Sequence, residues 1–287
     1  MADNKTGDWV APRTAGETYV HLSGNKFSGL NRDSAGPRTE QDLPRGNKEF
    51  QLYSLNTPNG QKVGIALEEL GLEYDAHLIH ILEGAQFTSG FVKLNPNSRI
   101  PALRHYQGDG RGEVVDVFES GAILLYLAER YNRFLPPPGK ERAELYSWLM
   151  WEMGSQGPMF GQFGHFFRYA PRDKHEAINY GVARYSMEVK RLLSVMENHL
   201  AQPNKAWFIG SEYTIADMAL YPWVRALGKA GYGAWEFLQV DETYPKVVQW
   251  CGRMEQRSAV QFGMLVCGPP GATAKLVKLR AELRAGF

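Results

Sequence analysis

Cysteine is nearly absent from this 287-residue chain: Cys251 and Cys267 are the only two. They form no Cys-x-x-Cys pair and have no histidine near them, so no redox pair and no metal site is written here, and both read as small buried hydrophobes. Charge of one sign is lacking too. With 32 Lys and Arg against 31 Asp and Glu, the formal net charge is +1, which excludes the clustered basic field that nucleic acid or an anionic membrane needs. No apolar run approaches the roughly 18 residues that cross a bilayer. The stretch from Met1 to Val10 is polar, without the basic start and apolar core of a secretory signal. The expectation is therefore a cytoplasmic protein whose partner is a small molecule. What is present is a 44% hydrophobic composition, enough to core about two domains at this length.

Residues 1–47 are rich in Gly, Asn, Asp, Ser, Thr and Pro with no sustained apolar period, and read as an irregular arm that lies on something else or is loose. From Phe50 the pattern sharpens. Phe50 to Leu55 reads as a buried strand, and Thr57-Pro58-Asn59-Gly60 opens a helix with Val63, Leu67 and Leu70 at helical spacing, closed by Gly71. Tyr74, Ala76 and Leu78 alternate as a second strand, and a short helix between Gly84 and Leu94 stops at Asn95-Pro96. Ala102 to Tyr106 and Val114 to Phe118 are two strands of a hairpin across the glycine-rich stretch Gln107 to Gly112, and Ser120 reads as the N-cap of a helix from Gly121 to Tyr131. The order β-α-β-α-β-β-α is a sheet covered by helices, ending near Pro136-Pro137-Pro138. Beyond it the periods are helical only. Glu141 to Met153 is one helix, Asp173 to Leu200 is a long one, and Thr214-Ile215-Ala216-Asp217 is a capping-box pattern. The domain reading is an arm over 1–47, an α/β domain over 48–134, an all-helical domain over 139–265 and a tail over 266–287.

Three segments, Asn97-Ser98-Arg99-Ile100-Pro101-Ala102-Leu103, Glu119 to Leu127 and Tyr213 to Ala219, stand in the order and at the separations of the glutathione S-transferase superfamily, which the chain resembles from residue 48 to about 260. Leu52 to Val63, Phe163-Gly164-His165-Phe166 and the long arm resemble its nu class, whose members are disulfide-bond reductases related to the yeast nitrogen-regulator prion. The resemblance implies a thioredoxin-like domain followed by an all-helical one, a homodimer, and glutathione as co-substrate, two molecules per site or one glutathione disulfide, with no metal. The acceptor it implies is a small disulfide, a peroxide or an electrophile.

A glutathione enzyme must hold an extended tripeptide and keep its sulfur anionic, whereas a free cysteine thiol has a pKa of about 8.5. By resemblance, Pro101 is the cis-proline after Ile100, whose backbone pairs with the peptide, and Pro58 and Arg99 complete the contacts around it. Glu119 and Ser120 stand at a strand-to-helix junction whose free N–H groups suit the γ-glutamyl carboxylate, with Glu119 taking the ammonium group; the plainer reading is an N-cap and a solvated charge. Thr57 is the obvious N-cap, and with Asn59 two residues on it also supplies donors to a sulfur at the helix mouth, the catalytic pair that the resemblance implies. Tyr53 and Ser54 are alternative hydroxyls. No cysteine stands at this helix start, so the attacking thiolate belongs to glutathione itself.

The resemblance adds Asn31, Gln86 and Arg184 as further contacts, Arg184 being a planar fork suited to a carboxylate and equally suited to a surface salt bridge. Where relatives carry a glutamine on the first helix of the helical domain, this chain reads Trp151-Glu152-Met153-Gly154. Met153 or, with a one-residue shift, Glu152 falls there, which puts part of the second-glutathione contact in doubt. Met153 and Tyr169 are the candidates for the acceptor pocket, and His165 reads as a packed residue. Two rival functions remain. One is a lyase that removes glutathione from an aromatic thioether; the other is a glutathione-binding regulatory protein, against which the arm's lack of Asn-rich tracts counts.

Overall fold

The computed structural model of the chain describes residues 12–22, 29–30, 32–108, 112–269, 271–272 and 276. Strand β1 (Phe50–Ser54) is buried at every position, as a central strand covered on both faces must be. It pairs in parallel with β2 (Tyr74–Leu78) and antiparallel with β3 (Ala102–Tyr106), which pairs antiparallel with β4 (Val114–Phe118), giving the order β2-β1-β3-β4. Between β1 and β2 runs α1 (Pro58–Leu70), capped by Thr57 and closed by Gly71 at φ 68°, a left-handed turn that glycine adopts without steric cost. α3 (Ser120–Tyr131) follows β4.

Two details of this half differ from the sequence reading. The segment before Asn95 is not one helix. Gly84 is left-handed and Thr88 extended, so two single 3-10 turns (Ile81–Glu83 and Ala85–Phe87) precede α2 (Ser89–Leu94), whose cap is Thr88. Ser120 is not the N-cap of α3 either: Glu119 occupies that position, and Ser120 is the first helical residue, turned inward and 4% exposed. The arm is also less irregular than its composition suggests. Ala15–Leu22 is a 3-10 helix, and residues 38–41 lie along the start of α2, with Arg38 N–H donating to Phe87 O, Ser89 N–H to Thr39 O and Gly90 N–H to Gln41 O.

In the helical half, α4 (Lys140–Trp151) does not stop at Met153. The backbone stays helical through a π turn over Glu152–Gln156, α5 (Gly157–Gly164) and a second π turn over His165–Tyr169. Pro158, near the start of α5, has no N–H for the carbonyl one turn back, and a widened turn beside it accommodates that loss. Then come α6 (His175–Leu200), α7 (Ile215–Ala226), the short α8 (Val240–Thr243), α9 (Pro245–Glu255) and α10 (Ser258–Gly263). One apolar core joins both halves, from Leu52 and Val63 through Leu149 and Phe160 to Trp250, while a smaller cluster of Tyr53, Ile79, Phe91, Leu94 and Ala102 lies on the other face of the sheet. α1 meets α10 backbone to backbone: a Cβ on Gly64 would stand 2.6 Å from Gly263 O, and one on Gly263 would overlap Ile65. Among the described residues no helix is long and apolar enough to cross a membrane.

The capping box of α7 is present and reaches further than its motif. Buried Asp217 accepts from Phe208 N–H (3.1 Å) and Trp250 Nε1 (2.9 Å) on one oxygen, and from Thr214 N–H (3.0 Å) and Thr214 Oγ1 (3.2 Å) on the other. Burial pushes its pKa from an ordinary 3.8 up to about 6, against the pull of these donors. An amide has one acceptor oxygen where the carboxylate has two, so Asp217→Asn should cost about 3 kcal/mol in urea unfolding. Because the folded value lies above the unfolded one, the folded chain holds the extra proton between about pH 4 and pH 6. This group's contribution to stability is therefore greatest below that window and is lost as pH rises through it, a slope the Asn variant should lack.

Candidate functional site

The strand register gathers three chain segments at one end of the sheet. Tyr53, Ala102 and Phe118 stand side by side on β1, β3 and β4. β1 leaves this end toward Thr57, β3 enters it from Ile100-Pro101, and β4 leaves it toward Glu119-Ser120. Open sheets bind ligands at such strand ends, where loops and helix N-termini converge.

The mouth of α1 is tightly held. Asn56 donates from Nδ2 to Met264 O (2.7 Å) and Val266 O (3.1 Å) and from its N–H to Cys267 O (3.0 Å), pinning the turn to the segment after α10. Gly60 is required, since a Cβ there would overlap Leu55 O. Thr57 Oγ1 accepts from Gly60 N–H at 3.4 Å, which leaves its own hydrogen free to donate outward. Pro58, lacking an N–H, opens the first turn. Asn59, half-buried, accepts at Oδ1 from Trp223 Nε1 of α7 at 3.0 Å. Burial raises the pKa of both cysteine thiols, Cys267 to about 12, and the Cys267 sulfur donates to His77 O at 3.8 Å.

The entry to β3 is organised by Asn95, which donates to Arg99 O (2.6 Å) and accepts from Asn97 N–H (2.9 Å). The Ile100–Pro101 peptide bond is cis, as the resemblance implies. Among the described residues neither the N–H nor the C=O of Ile100 has a hydrogen-bond partner, so a short backbone edge is open to an extended peptide.

At the mouth of α3, Glu119 is exposed and holds φ 70° with ψ 123°. A non-glycine residue in such a conformation stores strain of the order of 1–3 kcal/mol and points to a functional constraint. Behind it lies an arrangement that motif reading missed. Lys62 of α1, 1% exposed, donates to both oxygens of buried Glu152 (2.8 and 2.7 Å) and to Ser120 Oγ (3.3 Å). Burial lowers the Lys62 pKa and raises that of Glu152, each opposed by the other's charge. The available signal was composition: residues 62–67 of α1 are all buried, and a cation inside an all-buried stretch must find a counter-charge. Glu152 is engaged in this pair, while Met153 packs against Gly121 and stands 3.7 Å from Ser120 Oγ.

The remaining candidates divide. Gln86, which the resemblance gives as a glutathione contact, is buried in the 3-10 turn after β2, with Nε2 donating to Ile81 O (3.1 Å) and Oε1 unpartnered among the described residues. Arg99 is exposed at the same sheet end, and its charge acts on Arg38 of the arm. Tyr169 is half-buried with its ring 6.1 Å from that of Tyr232, and His165 packs edge-on against Phe166. Arg184 lies on the exposed face of α6, where its charge acts on Glu188 one turn on, and none of the described contacts joins it to the three mouths. Asn31 falls outside the described residues.

The family models for the glutathione S-transferase N-terminal and C-terminal domains match residues 57–130 and 179–253. The disulfide-bond oxidoreductase YghU of Escherichia coli is 46% identical over 256 residues, covering 87% of this chain and 85% of that protein. The chain belongs to the glutathione S-transferase family. Among solved structures, the glutathione transferase YghU from Streptococcus pneumoniae, complexed with glutathione, superposes with a TM-score of 0.80 at 43% identity, covering 90% of this chain and 97% of that one. A glutathione transferase from Burkholderia graminis, with two glutathione molecules bound per subunit, gives 0.70 at 41% identity, covering 76% and 88%. The two halves of the fold, a four-stranded mixed sheet with its helices and then a helical bundle, are those of a glutathione S-transferase.

Proposed function

We propose that this chain is a glutathione-dependent disulfide reductase that holds its co-substrate across the three mouths at the sheet end. The observation that carries the reading is the convergence of the α1 N-terminus, the unpaired Ile100 edge beside cis Pro101, and the strained Glu119-Ser120 turn, none of which contains a cysteine; Cys267, whose carbonyl braces Asn56, turns its sulfur to His77 O. The Ile100 backbone pairs with the cysteinyl unit, Glu119 and Ser120 take the γ-glutamyl ammonium and carboxylate, and Thr57 and Asn59 donate to the sulfur. Those donors favour the thiolate over the thiol and so lower its pKa. Arg99, Gln86, Asn31 and Arg184 serve the rest of one or two tripeptides, and Met153 and Tyr169 border the acceptor.

The exchange is balanced by two glutathiones. One thiolate attacks a sulfur of the disulfide, forming a mixed disulfide and releasing one thiolate; a second attacks the glutathione sulfur of that product, giving glutathione disulfide and the other thiolate. Both released thiolates take the protons that the two glutathiones gave up. The disulfide oxidoreductase relative and the two-glutathione neighbour support this reading over the thioether lyase and the regulatory protein. A homodimer in the cytoplasm completes the proposal, with the exposed apolar side chains Val114 and Phe118 on one face of β4 in keeping with a covered surface. Turnover of a small dialkyl disulfide with glutathione tests it: one glutathione disulfide per disulfide consumed is expected. Faster turnover of a glutathionylated aromatic ketone would favour the lyase, and tight glutathione binding without turnover the regulatory protein.

A further inference from the structure

An indole N–H can only donate, so the atom of Asn59 that faces Trp223 Nε1 at 3.0 Å must be the amide oxygen. That single contact fixes which way the amide points, because its other end can then only be the NH2 donor. Asn59 belongs to the sheet domain and Trp223 to α7 of the helical domain. The indole is itself held: Trp223 is 9% exposed, and its edge lies flush on the glycine face of α5. A Cβ on Gly157 would stand 3.1 Å from Nε1, and one on Gly161 3.3 Å from Cη2. An Asn side chain on a helix N-terminus that lacked this partner would be free to turn its oxygen toward a bound sulfur, where it would repel the anion.

We propose that Trp223 is a positioning residue for the thiolate site, acting through Asn59: the helical domain orients the amide so that its NH2 group, and not its oxygen, meets the glutathione sulfur. The inference rests on the reading of Asn59 proposed above. Removing the indole donor while keeping a ring, as Trp223→Phe does, should raise the pKa of the bound glutathione thiol, since a donor to the anion is lost. It should also lower kcat by about tenfold, less than the effect of deleting a direct donor, with KM for glutathione changed by no more than about twofold.

The test is a pH titration of the ultraviolet thiolate absorbance of bound glutathione, with steady-state kinetics, on the full-length wild type, Trp223→Phe, Asn59→Ala and the double variant. If Trp223 acts through Asn59, its substitution has no further effect on kcat or thiol pKa in the Asn59→Ala background. An equal loss in both backgrounds, or an unshifted thiol pKa in Trp223→Phe, overturns the proposal. An effect of Asn59→Ala without one of Trp223→Phe overturns the Trp223 assignment alone, whereas a silent Asn59→Ala overturns the thiolate reading and this inference with it. The indole N–H resonance of Trp223 in the wild-type chain carries the test even if Trp223→Phe does not fold. Asn59→Ala should shift that resonance and speed its solvent exchange, and an unmoved resonance overturns the proposal.

Discussion

Replacing Lys62 by methionine should cost about 4 kcal/mol of unfolding free energy and lower the melting temperature by roughly 10 °C. Taking both charges of the pair out of water is expensive, and their mutual attraction at 2.7 Å offsets that cost only while both are present. Lys62→Met keeps the volume of the stem and leaves Glu152, 0% exposed, as an uncompensated buried carboxylate. The companion Lys62→Met/Glu152→Met removes both charges together and should recover most of the lost stability. Urea unfolding of the wild type, the single and the double variant measures both terms. Equal losses in the single and double variants would mean that the site needs the pair for packing and not for charge balance. Since Lys62 also donates to Ser120 Oγ at the mouth of α3, both variants should bind glutathione more weakly even where the double variant is stable.

Thr57→Ala should lower the rate of disulfide reduction about 100-fold, the typical effect of deleting one donor to a developing or bound anion in a protected site. Capping alone predicts a different outcome. Loss of the N-cap costs about 1 kcal/mol of stability and leaves a folded enzyme with nearly normal turnover, because only the Gly60 N–H loses its partner and the helix persists through its packing on α3, α7 and α10. Thr57→Ser separates the two further: it keeps a hydroxyl for both roles and should retain activity to within about tenfold. Stability and turnover measured on the same preparations distinguish them.

The strands and α1 were legible because their signals are local. Thr57-Pro58 at the start, Gly71 at the end and buried residues between them define α1 within the segment itself. The strand-to-helix junction at Glu119-Ser120 was legible from the strand pattern and the capping serine, whereas the cis-proline was legible only through a family motif and the strained φ of Glu119 not at all, since nothing in residue spacing reveals either. Lys62 with Glu152, and Asn59 with Trp223, join residues 90 and 164 apart across two domains, and no period or motif records such a meeting. The π turns at 152–156 and 165–169 escaped for another reason: they keep the helical period of their flanks, so α4 read as ending where it merely widens. Ser120 was misplaced by one residue because a serine before an apolar helical run has the signature of a cap. Here it turns inward instead and meets the Lys62 ammonium.

The proposal that Thr57 and Asn59 at the head of α1 hold a glutathione thiolate is tested most directly by the location of the glutathione sulfur in a crystal of the complex. Hydrogen-bond distance from both Thr57 Oγ1 and Asn59 Nδ2, with the peptide paired along Ile100, is the expected result. A tripeptide seated elsewhere, with its sulfur beyond reach of both groups, would contradict the mechanism while leaving the fold untouched.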